Sequence, residues 1–143
     1  MIRHSAPKFL VLASCALLLS SCGGAPIEDT ARSNIRAKAD DALKRYGHIM
    51  ENAEPGSPDV TRQRLEETMP GLYSVTSASD NYPTAEIYLR DHVTTSGGFW
   101  GEQRTVSSCV RYSYDGKAAS MRSVECPSSG PPAEFTDERV TVP

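Results

Sequence analysis

The side chains able to do chemistry in this chain are few and scattered. Four are cysteines, Cys15, Cys22, Cys109 and Cys126. His48 and His92 are the histidines beyond the N-terminal segment, and His92 follows Asp91 directly. An acid beside a histidine suggests a proton-transfer dyad, but no nucleophile stands where both would serve it, which predicts surface histidines instead. Asp40, Asp41, Glu51, Glu54, Glu66 and Glu67 are interspersed with Arg and Lys on segments of helical periodicity, the pattern of a solvated face rather than of paired catalytic acids. The sequence contains no GxxxxGK[ST], GxSxG or CxxC motif. Phe99 and Trp100, the one tryptophan, stand between glycines in GGFWG. They fit either an exposed hairpin tip that touches a partner or a strand start that caps the core. The expectation is a protein with no catalytic residue, no metal site and no cofactor.

Position gives one of the cysteines a clearer meaning. Arg3 and Lys8 precede an apolar run from Phe9 to Leu19. That run has the length of a secretion-signal core and falls well short of the roughly 20 apolar residues that cross a bilayer. It ends in Leu19-Ser20-Ser21-Cys22, which resembles the bacterial lipobox: an aliphatic residue, two small residues and a cysteine. The resemblance implies that the Cys22 thiol takes a diacylglyceryl group, that a peptidase cuts before it, and that the freed amine is acylated in some organisms. Two acyl chains hold stably at a membrane, each buried CH2 contributing about 0.8 kcal/mol. The expected organisation is a signal peptide over 1–21, a lipidated tether over 22–27, one domain over 28–126 and a loose tail over 127–143. The tail is rich in Pro, Ser and Gly.

With Cys15 removed in the leader and Cys22 acylated, Cys109 and Cys126 remain in an exported chain. An even remainder outside the cytoplasm predicts a disulfide. Metal binding by this pair would need further His or Cys at ligand spacing, and none stands there. One tension accompanies the bridge. Asp115-Gly116 is strong hairpin chemistry, and a two-residue turn there would pair Tyr114 with Lys117. Cys109 would then face Arg122 and Cys126 would face Thr105, too far apart to bridge. A longer loop, a bulge, or a bend after Val124 would each resolve it, and the first two are favoured.

The chain of 143 residues carries 15 Lys+Arg against 18 Asp+Glu. Loss of Arg3 and Lys8 with the leader leaves 13 against 18, near −5. That balance argues against nucleic acid as a partner.

The elements follow from periodicity. Over 28–54, Ile35, Ala39, Ala42, Leu43, Tyr46, Ile49, Met50 and Ala53 recur at three- and four-residue steps, predicting a long amphipathic helix that ends at Pro55-Gly56. Gly47 is a mild weakness within it. Ser57 and Pro58 start a short second helix, stopped by Pro70-Gly71. From Leu72 the chain turns to strands: Leu72–Ala78, Ala85–Val93, Trp100–Tyr114 and Ala118–Cys126.

The predicted architecture is α+β, one long helix and one short helix on a four-stranded antiparallel meander. Ile35, Leu43, Tyr46 and Met50 are expected to meet Ile87, Leu89 and Val110 or their neighbours. Whether Val110 and Tyr112 or Cys109 face inward is open. The whole chain resembles the small lipoproteins of actinobacteria with a CVRY…ECP-type cysteine pair, and the helix on a meander is similar to cystatin-like and NTF2-like folds. Neither resemblance implies an activity. The functional expectation is a membrane-anchored extracytoplasmic lipoprotein that binds an envelope protein or a ligand. The alternative is an envelope enzyme with an unrecognised site.

Overall fold

The computed structural model describes residues 27–54, 56–77, 82–94, 103–128 and 138–142. Cys22, Phe99 and Trp100 lie outside the described residues. Two helices, α1 (Ile27–Glu51) and α2 (Pro58–Thr68), precede strands β1 (Leu72–Thr76), β2 (Thr84–Thr94), β3 (Gln103–Tyr114), β4 (Ala119–Val124) and β5 (Glu138–Arg139). The first four strands form an antiparallel meander in the order β1-β2-β3-β4. The α+β architecture of the sequence reading is the observed one.

The apolar stripe of α1 lies on one face of this sheet. Ala31, Ile35, Ala39, Tyr46, Ile49 and Met50 are buried there, while Ala42 and Leu43 sit half-buried at its margin. Gly47 passes close to β4: a Cβ there would come 3.2 Å from the Ala119 Cβ. What reads as a weakness in the helix lets it settle onto β4.

Strand alternation places Ala85, Ile87, Leu89, Val110 and Tyr112 beneath the helix, all buried. That settles the direction of β3, with Val110 and Tyr112 inward and Cys109 on the opposite face. The buried tyrosines satisfy their hydroxyls on backbone, Tyr46 donating to the Pro83 carbonyl at 2.7 Å and Tyr112 to the Ala39 carbonyl at 3.2 Å. Burial holds both phenols well above the ordinary tyrosine range.

The β3–β4 hairpin has the longer of the loops considered. The Asp115 carboxylate accepts from the Lys117 and Ala118 amides, both at 2.8 Å, and Gly116 takes φ 91°. This side-chain turn occupies 115–118, so Tyr114 pairs with Ala119 and Cys109 with Val124. Cys126 then follows only two residues past the partner of Cys109. The Cα atoms lie 5.3 Å apart and the Cys109–Cys126 disulfide is formed.

The loose-tail expectation for 127–143 is corrected over residues 138–142. Glu138 and Arg139 pair in parallel with Val106 and Ser107 of β3, and the Val140 amide donates to the Ser107 carbonyl at 2.8 Å. Val140 and Val142 are buried. Arg32 of α1 donates through Nε and Nη2 to Glu138 Oε1 at 2.9 and 2.7 Å, tying this return to the helix. β4 stops at Val124, so the remaining edge of β3 has exposed ladder groups, and a chain clamped nearby by Cys126 supplies the partner.

Candidate functional site

Strand alternation separates the residues that the sequence brings together. Asp91 points to the helix face, where Lys38 Nζ donates to Oδ1 at 2.5 Å and Asn34 Nδ2 to Oδ2 at 2.8 Å. Burial alone would raise the Asp91 carboxyl. The bonds from Lys38 and Asn34, together with the lysine charge, outweigh it and hold the group below its usual range. His92 points to the other face, its Nδ1 2.8 Å from Thr105 Oγ1. Neighbours in sequence on opposite faces of a strand cannot form a dyad. The carboxylates of Asp40, Asp41, Glu51, Glu54, Glu66 and Glu67 are all on exposed residues, the solvated face that their pattern predicts. Among the described residues no cluster of His, Cys, Asp or Glu is arranged to hold a metal.

The face of the sheet away from α1 carries the disulfide and a cross-strand ion pair. Arg111 Nε donates to Glu86 Oε1 at 2.7 Å. Tyr73 lies beside them on β1, and burial, then the Glu86 charge, pushes its phenol up to about 12.

Among the described residues, a groove of about 410 Å3 under the flank of α1 has room for a partner. Its origin is a mismatch of strand lengths. β2 runs from Thr84 to Thr94, but β1 pairs only with its first part and ends at the pair Leu72↔Ile87. Before Leu72 the chain turns away through Met69, Pro70 and Gly71 into α2. The helix continues over the space where a longer β1 would lie. Ala42 hangs over it, Ile87 and Leu89 form its floor, and Met69 and Pro70 close one end. Lys38 and Arg45 stand on the helical rim at the same helical face.

Gly71 fixes this corner. It has φ 81°, and a Cβ on it would lie 2.3 Å from the Tyr88 carbonyl oxygen. In return the Tyr88 amide donates to the Gly71 carbonyl at 2.8 Å. Only glycine supplies both the left-handed turn and the close approach.

The charges of the groove are mostly internally paired. Arg45 bonds Asp41 one helical turn earlier, and Lys38 is held by Asp91 and the Arg90 carbonyl, the latter at 2.7 Å. Arg90, at the strand edge of the groove, is exposed and makes no ion pair among the described residues. The groove therefore offers an apolar floor with two acid-bound cations on its helical rim, while the Arg90 side chain lies on the other face of the strand that edges it. No protein-family model, curated protein or solved structure matches this chain.

The groove residues carry no sequence signal of a site. Ala42, Ile87 and Leu89 register in the sequence only as core positions. The nearest hint is the Pro70-Gly71 pair, legible as a helix stop but silent about the strand length that follows it.

Proposed function

We propose that this chain is a lipoprotein anchored through Cys22 on the outer side of a cell membrane. On this reading its domain is a binding module whose groove takes an apolar partner of negative charge. The groove itself carries the reading. It combines an open apolar floor at Ile87 and Leu89 with Lys38 and Arg45 on its helical rim, bound to Asp91 and Asp41, and with Arg90 on the strand that edges it. Such a site holds and orients a ligand. The anchor rests on Leu19-Ser20-Ser21-Cys22. From Cys22 to the start of α1 at Ile27 the chain can span roughly 17 Å at full extension, so the domain would stand close to the lipid headgroups. Among the described residues no helix is long and apolar enough to cross a membrane.

The anchor and the groove are tested separately. Metabolic labelling with a lipid probe should mark the wild type and leave Cys22→Ser as unlabelled, uncut precursor; equal label on both would end the lipoprotein assignment. For the groove, an apolar fluorescent anion, anilinonaphthalene sulfonate, should bind the native chain. Ala42→Phe, which fills the space under α1, should abolish that signal while circular dichroism stays native. Undiminished dye binding by a folded Ala42→Phe would remove the groove as the binding site.

A further inference from the structure

The groove runs along a strand edge, and the edge has its own chemistry. The Tyr88 amide reaches the Gly71 carbonyl. Backbone groups alternate along a strand, so the even-numbered residues of β2 direct their N–H and C=O toward the β1 side, and the odd-numbered ones toward β3. Beyond Tyr88 that side has no strand among the described residues, because the β1 ladder ends at Ile87. Arg90, His92 and Thr94 therefore present amides and carbonyls outward in a row. The Arg90 carbonyl accepts from the Lys38 side chain, as an edge acceptor without a ladder partner does.

Building on the groove reading, we propose that the occupant is an extended segment of another protein that adds as a strand to β2 along Arg90–Thr94. It would fill the row that β1 leaves vacant. Its backbone would bond the edge of β2, and its side chains would alternate between two environments. On the α1 side the first of them enters the groove against Ala42, Met69 and Leu89 and must be apolar. Those on the other face lie beside Arg90, whose side chain lies on the face away from α1 and makes no ion pair among the described residues, and are best acidic. The recognised chemistry is thus a short stretch alternating aliphatic and acidic residues. An acyl chain or a free fatty acid would match the apolar floor but not the row of amides.

The purified full-length chain in mild detergent, titrated with the fluorescent peptide Glu-Val-Glu-Leu-Glu-Val-Glu, tests this. The peptide should bind, and hydrogen exchange at the Arg90, His92 and Thr94 amides should slow. N-methylation of one alternate set of peptide amides should weaken binding about tenfold, and of the other set far less, because only one set faces β2. Arg90→Ala should weaken it about two- to fivefold, and replacing the peptide glutamates by lysine should weaken it further. Equal effects of the two methylated sets, or binding without slowed exchange at those amides, overturns strand addition. Laurate displacing the dye from the groove while the peptide does not bind overturns strand addition and leaves the groove reading standing. Failure of peptide, laurate and dye alike overturns both.

Discussion

Ile35→Ala is expected to destabilise the domain by about 2–5 kcal/mol, the range for removing a large aliphatic side chain from a packed core. Ile35 is fully buried, and it belongs to the same core as Ile87, Val110 and Tyr112. An amphipathic helix of this kind owes its stability chiefly to docking, so a cavity under its first half weakens both helix and sheet. Leu43, half-buried at the margin of the stripe and packed against that core, should cost less on truncation, about 1–2 kcal/mol by the area it keeps from water. Lys44, exposed on the next position, should stay within about 0.5 kcal/mol. Urea denaturation of the three variants measures this ordering. Midpoints for Ile35→Ala and Lys44→Ala that both equal the wild type would mean that α1 is not docked on the sheet.

Removal of the Cys109–Cys126 bridge by a double alanine substitution should cost about 3 kcal/mol, the loop-closure value for a separation of 17 residues. The loss should be uneven. The bridge fixes where the chain leaves β4, and the same chain returns to β3 as β5. The Val140 amide, bonded to Ser107, should lose hydrogen-exchange protection first. The Val110 amide, inside the β2–β3 ladder, should follow only with global unfolding. The oxidised wild type should also show no titratable thiol at either position. A variant that unfolds at the wild-type midpoint with Val140 still protected would show that the bridge holds neither the stability nor the return strand.

By itself the sequence determined the two helices, the four strands of the meander, and the buried sides of α1 and β2. The three- and four-residue recurrence from Ile35 to Met50 marks the helix and its buried stripe, because a helix must bury whatever apolar face it has. Alternation from Ala85 to Val93 does the same for β2. Cys109 and Cys126 are legible as a pair on the expectation of export, because thiols left spare outside the cytoplasm oxidise. The hairpin register was open, since Asp-Gly suits two-residue and longer turns alike. Only the packed hairpin, with the Asp115 carboxylate bound to two amides, chose the longer one. The separation of Asp91 from His92 follows from alternation as soon as the segment is a strand, whatever its register.

Tertiary structure alone decided the rest. β5 is two residues long, and its placement depends on backbone pairing and on Arg32 reaching Glu138 from a helix far away in sequence. In the tail only Val140 and Val142 alternate, too short a pattern for such a contact to be legible. The groove and the edge of β2 that β1 leaves unpaired belong to no segment at all. They exist because β1 begins late, after Gly71 turns the chain beside Tyr88, while β2 and α1 continue past that point. A length difference between neighbouring strands is a relation between elements. Local residue chemistry encodes each element's periodicity, whereas the space left between them appears only when the three are packed.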